Sequence, residues 1–263
     1  MTQPKIVIQN ASFGYNDQHL VWENINIQVN ERDCLCLLGP NGSGKTTLLN
    51  CMNGTFPLKN GTILINGKNI KSYSIGEMAK TIGIVYQEHS APFPYSSLEV
   101  VRMGRTPYLG MFETPSKEDT ELAYSIMQDL GIGHLAAKSY TQISGGERQL
   151  VLIARTLCQE PEIILFDEPT SHLDFKNQAM VLRTIKRLSN NGMTIVMTSH
   201  FPNHVWKIGT HVAMLGFNGM VMQGTVDEVM TEKYLTETYK VEVKIYETET
   251  DKAKLRYCEP IFE

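Results

Sequence analysis

The chain has 263 residues, of which 42% are hydrophobic, so it can bury a full core as one large domain or two small ones. A net charge of −4 with 20% charged residues argues against a life on nucleic acid phosphates, which favours a basic surface. No apolar run approaches the ~20 residues that span a bilayer, and the opening MTQPKIVIQN lacks the layout of a secretory signal, so a cytosolic location is expected.

In chain order, KIVIQNASFGY and INIQVNERDCLCLLG alternate in the β manner. A helix follows from near Gly44 through KTTLLNCMNG, ended by glycine. GTILINGKNI, with its Asn-Gly turn, and KTIGIVYQ read as further strands. Cys34 and Cys36 alternate onto one face of a strand; with five cysteines and no repeating spacing they read as buried small hydrophobes rather than a metal or redox site.

From about His89 the texture changes. HSAPFPYSS is a Pro- and Ser-rich loop, and helical patterns follow. Leu122, Ile126, Met127 and Leu130 share one helical face, and so do Leu150, Val151, Ala154, Leu157 and Cys158. Residues 89–160 therefore read as a helical insertion in an α/β domain. Beyond it, EIILFDEP is a continuous apolar run that suits a central parallel strand. A helix over FKNQAMVLRTIKRLSNNG, a buried strand MTIVMTSH and a hairpin VAMLGFNGMVMQG complete the α/β part. The tail, 225–263, alternates short helix and strand.

GPNGSGKTT, from Gly39 through Pro40, Asn41, Gly42, Ser43, Gly44, Lys45 and Thr46 to Thr47, fits G-x-x-x-x-G-K-[ST] between a strand and a helix. Glycines let the backbone wrap phosphates, while amides and the helix start supply positive potential. Lys45 is expected on the β and γ phosphates and the Thr46 hydroxyl on Mg²⁺. Asp167 and Glu168 end a strand, where ligands gather in open α/β sheets. Asp167 is the candidate Mg²⁺ ligand and Glu168 the acceptor of a proton from an attacking water. Together these residues point to Mg²⁺-dependent nucleoside triphosphate hydrolysis.

ISGGE poses a separate question. Ser144 and Glu147 satisfy a capping box, but a cap does not require Gly145 and Gly146. Bare amides beside a serine hydroxyl at a helix start would suit a γ-phosphate. The chain's own loop already wraps one face of a nucleotide, so the ISGGE surface is expected to serve a nucleotide held by a second copy.

The chain resembles the ATP-binding subunits of ABC transporters over nearly its whole length. GPNGSGKTT resembles the Walker A motif, ISGGE the signature usually written LSGGQ, and IILFDE the Walker B motif. The resemblance implies an α/β P-loop NTPase fold with an N-terminal antiparallel β subdomain, a RecA-like parallel-sheet core and an inserted α-helical subdomain. It divides a single nucleotide-binding domain into an ATPase core with the β subdomain (1–88 and 161–224), the helical subdomain (89–160) and the C-terminal tail. It further implies head-to-tail dimers in which each signature closes the ATP site of the other copy. Tyr15 matches the aromatic residue that stacks on adenine, although a buried strand tyrosine is an alternative. Gln87 matches the glutamine that senses Mg²⁺ and the attacking water. Asp174 matches the D-loop aspartate and His200 the switch histidine at the γ-phosphate. Ile143 and Glu147 depart from the usual signature, His172 from the usual D-loop, and Phe201 from the aspartate common after the switch histidine. His89, His204 and His211 carry no assigned role.

LEVVRMGRTPYLGMF, SHLDF and the tail resemble ATPases that serve iron-chelate (siderophore, haem) and cobalamin import. That branch implies separate membrane permease subunits, an external solute-binding protein acting indirectly, and a position on the inner face of the cell membrane through the permease. Phe93 and Tyr95 are candidates to contact a permease helix. A soluble ABC ATPase of an assembly complex and a split exporter are the alternatives. No nucleic acid partner is expected.

Overall fold

A computed structural model describes residues 4–16, 19–87, 94–110, 112–216, 219, 221–250 and 253–262. In chain order the strands and helices are β1 (Ile6–Phe13), β2 (Trp22–Val29), β3 (Cys34–Leu38), α1 (Lys45–Met52), β4 (Asn60–Ile65), β5 (Lys68–Asn69), α2 (Ile75–Thr81) and β6 (Ile82–Val85). There follow α3 (Ser97–Arg102), α4 (Lys117–Asp129), α5 (Gly145–Cys158), β7 (Ile163–Phe166), α6 (Phe175–Asn190), β8 (Thr194–Ser199) and α7 (Pro202–Ile208). The last elements are β9 (His211–Leu215), β10 (Val221–Thr225), α8 (Val226–Val229), α9 (Glu232–Tyr239), β11 (Val243–Thr250) and β12 (Ala253–Pro260). The chain forms two compact units, one from Met1–Tyr73 with Ser189–Glu263, the other from Ser74–Leu188.

The first unit holds an antiparallel sheet in the order β2-β1-β4-β5. Alternation explains it: Ile25, Ile27 and Val29 of β2 are buried while Asn24, Asn26 and Gln28 face outward. β3 has no such alternation. All five of its residues, CLCLL, are buried, because parallel neighbours β8 and β9 flank it on both edges. The hairpin read from the sequence is present as β9–β10, paired from Val212↔Gly224 to Leu215↔Val221. Cys34 and Cys36 lie inside β3 and are fully buried. Burial pushes the Cys51 thiol up to about 12, far from reactive thiolate character.

The tail of the first unit ends in a hairpin, with β11 and β12 in register from Val243↔Pro260 to Thr250↔Ala253. Tyr246 and Tyr257 stack across it at 5.5 Å, and Glu247 receives Lys254 at 2.6 Å and Arg256 at 2.5 Å. Such exposed ion pairs contribute little each.

In the second unit β6 and β7 pair in parallel from Ile82↔Ile163 to Val85↔Phe166. α5 is buried on nearly every side: Leu152 and Ile153 join Leu150, Val151, Ala154 and Cys158 in the interior, so its apolar face is wider than a single stripe. α6 is amphipathic, with Val181, Leu182, Ile185 and Leu188 buried and Arg183 and Arg187 exposed. The distinctive GRTPY stretch acts as a brace here. Arg105 donates to Asp119 at 2.8 Å, to Glu160 at 2.6 Å and to the Cys158 carbonyl at 3.0 Å. Its guanidinium also lies 4.0 Å from the Tyr108 ring centroid.

Candidate nucleotide site

The phosphate loop leaves the buried end of β3 and enters α1, as the motif requires. Gly44 caps α1 at φ 88°, a left-handed conformation, and a Cβ there would lie 2.7 Å from Val21 Cγ1 and 2.8 Å from Trp22 Cδ1. Only glycine satisfies both demands. Lys45 is buried, and its ammonium donates to the carbonyls of Gly39 (2.9 Å) and Pro40 (3.0 Å). The Ser43 hydroxyl is buried and has no hydrogen-bond partner among the described residues. A buried polar group left in that state is costly. The loop thus presents an ammonium, a hydroxyl without a partner and a helix start, a donor set that fits phosphate oxygens. Thr46, the candidate Mg²⁺ ligand, is exposed at this same helix start, as are Asn41 and Gly42, while Thr47 is buried.

Tyr15 lies just beyond β1 with 69% of its surface exposed. The alternative of a buried strand tyrosine is therefore wrong: the strand ends at Phe13, and Phe13 occupies the buried position. The Tyr15 hydroxyl shares a 2.9 Å hydrogen bond with Thr47 Oγ1. Its ring meets Phe13 edge-on at 5.1 Å and Phe56 at 5.9 Å. These contacts tie an open aromatic face to the loop's helix.

His200 follows β8 in the same unit and is half-buried, with its ring 3.9 Å from that of Phe201. The Phe201 amide donates to Ser199 Oγ at 3.0 Å, and Tyr239 donates to the His200 carbonyl at 3.1 Å. His204 is buried four residues on; desolvation, then the nearby Lys207 and His200, lower its pKa to about 4.

In the second unit Asp167 is buried at the end of β7, its amide donating to the Val85 carbonyl at 2.9 Å. Glu168 is half-buried and has φ 43°, a region that non-glycine residues enter at a cost of about 1–3 kcal/mol. Ser171 donates its hydroxyl to Glu168 Oε2 at 3.0 Å and its amide to the Glu168 carbonyl at 3.0 Å. Nothing in the sequence marks Ser171 for this contact, because a left-handed glutamate leaves no trace in composition or spacing. Gln87 is exposed in the bend after β6.

The capping box at α5 is present. Glu147 Oε2 accepts from the Ser144 amide (2.8 Å) and hydroxyl (2.7 Å), and the Glu147 amide donates back to Ser144 Oγ at 3.4 Å. The backbone hydrogen bond from Ser144, then its hydroxyl, hold the Glu147 carboxyl below the usual range. The same box begins α2, α3, α4 and α8, so the cap alone does not distinguish α5. Its glycines do, for two reasons. A Cβ on Gly145 would make ordinary contact with Leu173 at 3.4 Å, leaving that position open. A Cβ on Gly146 would sit 2.4 Å from Asn177 Cγ, so this glycine is also demanded by packing. Asp174 is exposed and caps α6, its Oδ1 accepting from the Asn177 amide at 2.8 Å.

Tyr95 is 43% exposed; His89 and Phe93 lie outside the described residues. No helix among the described residues is long and apolar enough to cross a membrane.

The family model for ABC transporters matches residues 22–171. The chain is 36% identical over 230 residues to the molybdate import ATP-binding protein MolC of Haemophilus influenzae, covering 87% of this chain and 85% of that one. It is 32% identical over 238 residues to the iron(3+)-hydroxamate import ATP-binding protein FhuC of Bacillus subtilis, covering 90% and 88%. Among solved structures, an inward-facing metal-chelate type ABC transporter superposes with a TM-score of 0.89 at 32% identity, covering 99% of both chains. With a phosphate loop, a strand-end acid pair and a capped Gly-Gly helix start in one such fold, the chain belongs to the ABC transporter family as an ATP-binding subunit.

Proposed function

We propose that this subunit hydrolyses ATP to drive a binding-protein-dependent importer of an iron chelate, haem or cobalamin-type solute. The observation that carries the solute class is the likeness over 99% of the chain to a metal-chelate type transporter, together with the FhuC relative. The MolC relative, at 36% identity, favours a second reading in which the solute is a metal oxyanion.

In this reading ATP occupies the loop from Gly39 to Thr47. Lys45 exchanges the Gly39 and Pro40 carbonyls for β and γ phosphate oxygens, a stronger, charge-assisted pairing. Thr46, Gln87 and Asp167 would hold Mg²⁺, which when bound neutralises charge on the phosphates. Tyr15 stacks on the adenine. Glu168 accepts a proton from the attacking water as its oxygen bonds to the γ-phosphorus and the bond to the β-phosphate oxygen breaks. His200 holds the γ-phosphate and that water in line. Ser144, Gly145, Gly146 and Glu147 of a second copy close the site, with Asp174 beside them at the dimer face. The 89–160 segment is the helical subdomain that meets the permease on the inner face of the membrane.

The test is recovery of tagged Glu168→Gln protein from detergent-solubilised native membranes, with the co-purifying chains identified by mass spectrometry. A polytopic permease with an external metal-chelate-binding protein is the expected result. Soluble partners alone would overturn the transport reading and leave the ATPase chemistry standing.

A further inference from the structure

Two residues of the C-terminal tail, Tyr239 and Cys258, grip the segment that carries His200. Tyr239, the last residue of α9, donates its hydroxyl to the His200 carbonyl at 3.1 Å. Asn203, three residues beyond His200, pairs with β12 in both directions. Its side-chain amide donates to the Cys258 carbonyl at 3.2 Å, and its Oδ1 accepts from the Cys258 amide at 2.8 Å. An asparagine used in this way extends the strand's ladder onto α7. Between these two anchors lies Phe201, whose amide is held by Ser199 Oγ and whose ring packs against that of His200.

Only a few freely rotating bonds separate the His200 carbonyl from its imidazole. Fixing the peptide plane at 200 and the first turn of α7 at Asn203 therefore limits where the ring can point. Electrostatic and positioning effects on a transferring phosphoryl group depend on placement within about 0.5 Å. The tail anchors are 39 and 55 residues away in sequence, so their contacts are not a by-product of local chain geometry.

We propose that Tyr239 and the Asn203–Cys258 clamp are positioning elements: the C-terminal tail braces the switch histidine and so sets the rate of hydrolysis without touching nucleotide. The proposal rests on the assignment of His200 to the γ-phosphate.

The experiment compares Tyr239→Phe, Asn203→Ala and, as a control on the hairpin's outer face, Tyr246→Phe in the full-length chain. Three quantities are read: kcat, KM for ATP, and the imidazole NMR resonance of His200, identified by its loss in His200→Ala. Tyr239→Phe removes one oxygen and keeps the ring, so it is the variant that tests the brace if Asn203→Ala loosens the hairpin. The expected result is a displaced His200 resonance and a kcat lower by roughly three- to tenfold, the span that loss of one hydrogen bond covers. KM stays unchanged and Tyr246→Phe is silent. An unmoved resonance in Tyr239→Phe overturns the brace. So does a moved resonance with unchanged kcat, provided His200→Ala itself stops turnover. If His200→Ala turns over normally, it is the γ-phosphate assignment that fails, and the resonance alone then decides whether the tail positions the ring.

Discussion

The Ser171 hydroxyl donates a 3.0 Å hydrogen bond to the carboxylate of Glu168, three residues back, across a turn in which Glu168 is itself left-handed at φ 43°. A carboxylate aimed by its own strained backbone and fixed by a neighbouring hydroxyl is preorganised. Strain of this kind persists where the surroundings over-determine it.

Glu168→Gln preserves shape and the Ser171 contact but removes the proton acceptor. Turnover is expected to fall by roughly 10²–10⁴-fold, the usual weight of a general base, while ATP binding survives. With hydrolysis blocked, ATP should accumulate a dimer, visible by size-exclusion chromatography with light scattering. Adding Ser144→Arg to Glu168→Gln should abolish that dimer and leave ATP binding to the monomer intact. A double variant that still dimerises with ATP would remove the composite site.

Gly146→Ala improves intrinsic helix propensity yet drives a methyl group against Asn177, 2.4 Å away. Overpacking of this kind costs about 1–3 kcal/mol and should lower the melting temperature. Asn177→Ala clears Cγ and Oδ1 but leaves Cβ, at 2.8 Å, so the double variant should recover part of the loss. Gly145→Ala, which meets only Leu173, should fold like the parent chain. Equal melting temperatures for all three variants would show that the close approach at Gly146 is relieved without cost.

His204 has its pKa lowered from 6.5 to about 4, chiefly by burial. The folded state therefore favours the neutral ring, and the unfolded chain binds the extra proton between those values. Stability from this group is fully present above pH 6.5 and is lost as pH falls toward 4. The linkage is about 1.4 kcal/mol per unit, or about 3 kcal/mol across the window. Urea midpoints measured from pH 7 down to pH 4 should fall, and His204→Gln should flatten the slope. A slope unaffected by the substitution would place the acid sensitivity elsewhere.

Tyr15→Ala removes the exposed ring face and should weaken ATP binding by about 1–3 kcal/mol, the range found for stacking of a base on an aromatic side chain. Tyr15→Phe keeps the ring and loses only the hydroxyl contact with Thr47, so its affinity should stay near that of the parent. Equal losses in both variants would assign the effect to the hydroxyl instead of the ring. Titration with a fluorescent ATP analogue and its guanine counterpart reads both the affinity and the base preference.

What the sequence determined by itself is what depends on short spacing. The phosphate loop from Gly39 to Thr47, the box joining Ser144 and Glu147, the buried run of β7 and the β9–β10 hairpin each arise within a few residues. Periodicity and capping chemistry act over such distances whatever the rest of the chain does. Tertiary structure decided the rest. Tyr15 stands exposed because Phe13 takes the interior position; Gly146 is held to glycine by Asn177, thirty-one residues on; and Arg105 joins Asp119 to Glu160. The hydrogen bond from Tyr239 to His200 spans 39 residues. Such contacts are set by how separate elements pack and which rotamers that packing leaves open, and no pattern of neighbouring residues encodes them.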